Sequence, residues 1–500
     1  MELSDAFSAM AADLPAISSI LLVGVMGMAM VVLDAFRNDA RSIPWLGVGT
    51  LTVAAVWEAF HFGAAPGTAF LGSVRTGGFA AFINTIVLGA GALSLLLVEP
   101  YLRRMRRNYG EVYALVMFAV VGMLLLGTAN NLISIFVGLE TMSVCLYVLT
   151  GLVREDEGAI ESALKYFLLG AFSTGFFLYG MALIYGATGT MYLPEMTNAL
   201  QAGGAPLLFW AGVALLFIGF MFKVSAAPFH MWTPDVYQGS PTPLTGFMST
   251  AAKASAFASL ILVLFYALPS ERWSSVLAVV AVLTMVIGNV LALSQANVKR
   301  MLAYSSVAHA GYVLVGLSAG TAEGYGGAMF YLLVYTLMNI GAFGVMALLE
   351  WDGKEGREQT LDSLAGIGYK RPVLGVAMGV FMFSLTGFPP LGGFMGKVAV
   401  FGPAVDAGAI GLVVTALLMS ALSAYYYLRV VYVFWMQAPE SLAATQESAD
   451  AQLPRVTPSA LAVLSLCTVL LLVLGLFPGG LMETTTGFFE AAQAMATTMP

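Results

Sequence analysis

The chain has 500 residues, 59% of them hydrophobic and 10% charged, with a mean hydropathy of +0.87. Soluble domains carry about 25% charged residues, so a soluble multidomain protein is excluded. The net charge of -7 offers no basic excess for nucleic acid. Cys145 and Cys467 make no CxxC pair, and His61, His230 and His309 have no ligand spacing, so the chain is expected to hold no metal, cluster or haem of its own.

The apolar residues come in blocks of about 20, the length that crosses a bilayer core as a helix. They predict an all-α polytopic membrane protein of about fourteen spans, near 14–33, 43–62, 77–98, 112–128, 131–152, 160–187, 206–238, 243–268, 273–294, 301–319, 325–349, 372–402, 409–435 and 458–477. The N-terminal MELSDAFSAMAADLP lacks the basic start of a signal peptide, so the first helix is expected to be retained. Span 5 carries Glu140 about ten residues from either end, too deep to reach an interface easily. Either a buried carboxyl that ties helices together or a member of a proton relay fits that depth.

Span 6 carries Lys165 near one end, where it can snorkel. Span 7 is interrupted: KVSAAPFHMWTPDVYQGSPTP, from Lys223 to Pro243, sets Pro228 and Pro234 inside a stretch that must otherwise cross the membrane. Span 8 holds Lys253 near its centre, among small residues that permit close packing. Span 12 is broken again at SLTGFPPLGGFMGK, with Pro389 and Pro390 between Gly387 and Gly392 and with Lys397 just beyond. Proline removes a donor and glycine leaves helical geometry cheaply, so each break predicts a buried hydrated site. Arg429 near the end of span 13 can snorkel, like Lys165.

The breaks lie five spans apart. A five-span unit must insert its second copy upside down, so discontinuous helices 7 and 12 belong to two inverted repeats, spans 4–8 and 9–13. The expected organisation is a single membrane domain over 1–500. It has helices 1–3 within 1–111, a first repeat over 112–268, an inverted second over 273–435, a solvated cytoplasmic loop over 436–457, and helix 14 with a tail over 458–500.

Lys and Arg in the loops support one orientation. Odd-numbered loops hold Arg37, Arg41, Arg103, Arg104, Arg106, Arg107, Arg154, Lys299, Arg300, Lys354, Arg357, Lys370, Arg371 and Arg455, whereas even-numbered loops hold only Arg75 and Arg272. Basic loops stay cytoplasmic, which predicts both termini on the periplasmic side of a bacterial inner membrane. Of the basic residues left within spans, Lys223, Lys253 and Lys397 are the expensive ones, since a central lysine costs about 2.5–3.5 kcal/mol on the insertion scale.

The runs quoted above, with GLE at Glu140, STAAK ending at Lys253 and VKRMLAYSSVAHAGY from Val298 to Tyr312, resemble the antiporter-like proton-pumping subunits of respiratory complex I. PFH-x-W-x-PD is shared with sister subunits and with Mrp-type cation/proton antiporters. VYQGSPTP resembles the N-type form of bacterial NADH:quinone oxidoreductase, similar to mitochondrial subunit 2. The end of the chain soon after span 14, without the lateral helix of the L-type, is expected to mark the same distinction.

The resemblance implies that Glu140 and Lys223 are a carboxylate–lysine pair, that Lys253 is the central proton carrier and that Lys397 is the carrier of helix 12. It adds Lys165 on the same hydrophilic axis. His230 and His309 fall in family motifs, with a shuttle and a packed structural role both open. NADH, FMN, iron–sulfur clusters and quinone are then expected in partner subunits of a hetero-oligomer, beside other membrane subunits and the lipid bilayer. A carboxylate near an ammonium favours the charged form, and withdrawing it in a poorly solvated site drives the proton onward. That logic predicts uptake from the cytoplasm, storage on Lys253 and release outward near Lys397. A stand-alone sodium/proton antiporter and a purely structural subunit are the competing expectations.

Overall fold

The computed structural model describes residues 11–36, 42–105, 109–204, 206–268, 270–350, 359–436 and 456–498. Arg37, Arg41, Arg106, Arg107, Lys354, Arg357, Arg455 and most of the 436–457 loop lie outside the described residues. In chain order the helices are α1 (Ser18–Phe36), α2 (Ile43–Ala59), α3 (Gly78–Arg104), α4 (Gly110–Thr128), α5 (Leu132–Thr150), α6 (Glu157–Thr188), α7 (Leu193–Gly203), α8 (Leu207–Lys223), α9 (Trp232–Gly239) and α10 (Thr242–Phe247). They continue as α11 (Lys253–Tyr266), α12 (Ser270–Leu293), α13 (Val298–Ser318), α14 (Ala322–Leu349), α15 (Ile367–Lys370), α16 (Pro372–Thr386), α17 (Gly392–Asp406), α18 (Ile410–Trp435), α19 (Pro458–Leu476) and α20 (Gly479–Thr498). Among the described residues eleven helical stretches are long and apolar enough to cross a membrane, and α2, α8 and α16 are shorter apolar helices.

Burial sorts these helices into an outer and an inner set. Helix α1 buries a single stripe, Ser19, Val23, Gly27 and Met30, and exposes Val25, Met28 and Val32. A helix apolar on every side but packed along one stripe needs an apolar solvent for the remainder. Helices α13 and α14 are buried almost all round. With the π-helical turn Met248–Ala252 and α11, they form the centre of the bundle.

At both breaks hydrogen bonds take up backbone groups that leave the helical pattern. After α8 the chain turns through Ser225, at φ 62°. Ala227 N then donates to Thr284 Oγ1 at 3.0 Å, and the Trp232 indole donates to the Phe222 carbonyl at 3.0 Å. After α16 the left-handed Gly387, at φ 88°, donates back to Phe383 and Ser384, and Phe388 N also donates to the Phe383 carbonyl. Such closures are what an apolar medium demands of irregular backbone. Gly393 has no alternative, because a Cβ there would fall 1.8 Å from the Ser384 carbonyl oxygen.

Three features depart from the sequence reading. The tail after span 14 includes α20, which lies against α14: a Cβ on Gly326 would come within 2.7 Å of Thr486 Cα. Its Phe489 packs on Phe79, Phe265 and Tyr325. Arg103 and Arg104, read as loop, close the last turn of α3, where cations oppose the helix dipole; Arg103 pairs with Glu99, and Arg104 donates to the Ala347 carbonyl. Lys299, also read as loop, is buried in the first turn of α13, and its Nζ donates to the Ser240 carbonyl at 2.5 Å. Between α2 and α3 a small antiparallel hairpin pairs β1 (Gly67–Ala69) with β2 (Val74–Thr76), setting Thr68 opposite Arg75.

Candidate functional site

Besides Lys299, three lysines are buried within the described helices, at 7% exposure for Lys223, 3% for Lys253 and 6% for Lys397. Among the described residues none of them lies within ion-pair distance of a carboxylate. The hydrogen-bond acceptors of all three ammoniums are hydroxyls and backbone carbonyls, an arrangement that intramembrane cations adopt when they face the bundle interior.

Lys223 ends α8 and reaches across to α5. Its Nζ donates to Ser143 Oγ at 2.7 Å and to Tyr147 OH at 3.2 Å. Glu140, Ser143 and Tyr147 stand three and seven residues apart, the spacing that shares one helix face. The half-buried Glu140 carboxylate accepts a hydrogen bond from Thr174 Oγ1 of α6 at 2.7 Å. The two residues expected to form a direct pair are thus brought to one neighbourhood, with the α5 hydroxyls taking the lysine and Thr174 taking the acid. Serine and tyrosine on this face carried no signal of their own, because hydroxyl residues are common in membrane helices.

Lys253 opens α11, directly after the π-helical turn. Its Nζ donates to the carbonyl of Ser306, at 2.8 Å, and to the Oγ of the same residue, at 2.5 Å, and lies 6.0 Å from the Tyr335 ring centroid. Ser305, the preceding residue on α13, contacts the hydroxyl of Tyr427 on α18. That hydroxyl is 3.0 Å from His309 Nε2, and the opposite ring nitrogen, Nδ1, is 2.6 Å from the Tyr331 hydroxyl. A neutral imidazole has one donor and one acceptor nitrogen, so Ser305, Tyr427, His309 and Tyr331 form a hydrogen-bonded row passing through the ring.

Lys397 sits on α17 and caps α16. Its Nζ donates to the carbonyls of Leu385 at 3.2 Å and Thr386 at 2.7 Å, and to Ser420 Oγ at 2.7 Å. The last carbonyls of a helix lack intrahelical partners and carry the negative end of its dipole, and the lysine supplies both donors and charge. The same Nζ lies 5.3 Å from the Tyr312 ring centroid, and the Tyr312 hydroxyl accepts from Asn289, which in turn accepts from Tyr426 at 2.9 Å.

Other candidates sit elsewhere. His230 is buried at the α8–α9 break with its Nδ1 lacking a hydrogen-bond partner, as do Ser225 Oγ and Thr233 Oγ1 nearby. The Lys165 side chain is 42% exposed and forms ion pairs with Glu161 and with Asp235, which Arg300 shares at 2.7 Å. Arg429 is exposed, as is His61, whose Nδ1 meets the Trp57 carbonyl. Among the described residues no three His, Cys, Asp or Glu side chains group to hold a metal.

Residues 129–423 match the family model of the NADH:quinone oxidoreductase/Mrp antiporter transmembrane proteins. NADH-quinone oxidoreductase subunit N of Salinibacter ruber is 68% identical, over 99% of this chain and 100% of its own length. The chain belongs to the NADH-quinone oxidoreductase subunit N family. A chain of respiratory complex I from Thermus thermophilus, solved with bound aureothin, is 38% identical with a TM-score of 0.80, covering 93% of this chain and 98% of its own. A chain of the Mrp complex from Dietzia sp. reaches a TM-score of 0.82 at 20% identity, over 96% of this chain and 98% of its own, a likeness of fold. As a subunit N family member the chain is a multi-pass bacterial membrane protein, and the family match takes in both helix breaks together with Glu140, Lys223, Lys253, His309 and Lys397.

Proposed function

We propose that the chain is the proton-translocating N-type membrane subunit of a bacterial NADH:quinone oxidoreductase, working in a hetero-oligomer with other membrane subunits. The observation that carries this reading is the row through His309, which starts beside the Lys253 site at Ser305 and runs by hydrogen bonds through Tyr427 and Tyr331 in the centre of the bundle. An imidazole that accepts a proton on one nitrogen and releases one from the other passes charge without moving through space. Lys253 stores the proton, and Lys397 hands it on. Glu140 and Lys223 form the first station, where the distance of the carboxylate sets how firmly the lysine keeps its charge. The unpartnered Ser225, His230 and Thr233 atoms at the first break favour water there, since buried polar groups otherwise cost about 1–3 kcal/mol each.

The driving energy comes from electron transfer in partner subunits, where NADH, FMN, iron–sulfur clusters and quinone are placed. Protons enter from the cytoplasm and leave outward near Lys397, with both termini periplasmic. Spans 4–8 and 9–13 act as inverted repeats, a reading supported by one break in each with a buried lysine beside it, Lys223 and Lys397. An Mrp-type sodium/proton antiporter subunit is disfavoured by 68% identity to a subunit N against 20% to the Mrp chain.

The test is NADH-driven proton uptake by proteoliposomes carrying the assembled complex. Lys253→Ala and Lys253→Arg should both lower pumping at least ~10-fold, because arginine stays charged at every working pH. Normal pumping by the arginine variant would exclude a titrating group at this position.

A further inference from the structure

One cavity stands apart from the buried lysines. It lies where the β-hairpin and the start of α3 meet α20, and it encloses about 550 Å³, a volume typical of ligand pockets, which span roughly 300–1,000 Å³. Its walls are largely apolar, with Phe62, Phe79, Phe488 and Met495 among the lining residues. A single basic side chain enters it. Arg75, on β2, lays its guanidinium over the Tyr266 ring, 3.3 Å from the centroid. Among the described residues no carboxylate lies within ion-pair distance of Arg75, and its Nε is buried without a hydrogen-bond partner.

Among the described residues no charge balances this half-buried cation, and a charge withdrawn from water without a partner is costly. Stacking occupies the face of the guanidinium and leaves its in-plane N–H edge available, the edge that takes a phosphate through two parallel hydrogen bonds. Gly78, Phe79 and Ala80, the first turn of α3, line the same space and add the positive end of a helix dipole. An inorganic anion would satisfy this polar corner and leave the apolar walls uncovered. The hairpin joins two membrane helices, so the corner lies at the depth of lipid headgroups. We propose that the cavity binds a phospholipid, with its phosphodiester on Arg75 and an acyl chain among Phe62, Phe79 and Phe488.

The experiment uses the intact complex in native membranes doped with a photoactivatable phosphatidylglycerol whose diazirine is on the acyl chain. Label should map to peptides spanning 62–79 and 484–495. Normalised to label on the lipid-facing side of α1, it should fall about tenfold in Arg75→Gln, the loss of a ~1.4 kcal/mol contact. Ala491→Trp fills the cavity from α20 without altering the charge. It should produce the same fall, so the result does not hang on one variant's assembly. An excess of inorganic phosphate should leave the label unchanged. Absence of label from the two peptides, label undiminished in both variants, or displacement by inorganic phosphate would each overturn the proposal. So would cross-linking of Arg75 to a carboxylate of a neighbouring subunit.

Discussion

At the first break the lysine ends the leading half-helix and projects onto another helix, whereas at the second it belongs to the trailing half and reaches back across the gap. Lys223 is consequently held by side chains, Ser143 and Tyr147, with Glu140 one turn from Ser143. Lys397 is held chiefly by backbone, the carbonyls of Leu385 and Thr386. Hydroxyls and carboxylates rotate about single bonds, but the end carbonyls of a helix cannot turn away unless the helix unwinds. The first site is thus built to change its neighbours and the second to keep them, which suits an input station and an outlet respectively.

The contrast breaks most visibly at Lys397. Lys397→Met should strip two buried carbonyls of their donor, and hydrogen bonds to charged groups are worth about 1.5–3 kcal/mol. Pumping should be lost and the amount of assembled complex should fall, measured by quantitative blotting of membranes and by thermal melting of the purified complex. Wild-type assembly and melting would show that the cap carries no structural load. Lys223→Ala should separate the two properties: pumping drops ~10-fold or more while assembly stays near normal, because the Ser143 and Tyr147 hydroxyls it leaves can hydrogen-bond elsewhere. A severe assembly defect in that variant would make the two breaks alike after all. Ser143→Ala combined with Tyr147→Phe removes only the hydroxyls, and about 1 kcal/mol for each bond predicts a severalfold slowing of turnover without its loss. Lys165→Ala should matter least. Exposed ion pairs contribute ~0–1 kcal/mol, so pumping within about twofold of wild type is expected, and a larger defect would restore Lys165 to the proton path.

How legible these sites were depended on contrast with their surroundings. Lys223, Lys253 and Lys397 stand out because a charge in an apolar run is costly wherever it faces lipid, and the paired prolines stand out because they cannot continue a helix. Their partners do not. Ser143, Ser306 and Ser420 look like the many other hydroxyl residues that bond to their own helix, and only the crossing of α5 with α8, of α11 with α13, or of α17 with α18 turns them toward a lysine, just as α6 brings Thr174 to Glu140. Lys165 stood out in the same way, but its counter-charge, Asp235, did not, since it lies seventy residues away in sequence. Lys299 sat beside Arg300 in what read as a basic loop, yet α13 begins one residue before it and carries it under Ser240. The helix α20 escaped notice because its threonines and glycines favour other conformations, and packing of Phe489 outweighs that preference.

The π-helical turn Met248–Ala252 has a bearing on motion at the centre of the bundle. Such a turn carries one residue more than an α-helical turn needs, and each residue of an α-helix advances the chain by ~100° around its axis. Sliding that surplus past Lys253 would swing the ammonium off Ser306 while both ends of the span stayed where they are. The lysine most enclosed by protein therefore adjoins a turn whose surplus residue would let its acceptors on Ser306 be exchanged by a local rotation instead of a movement of whole helices.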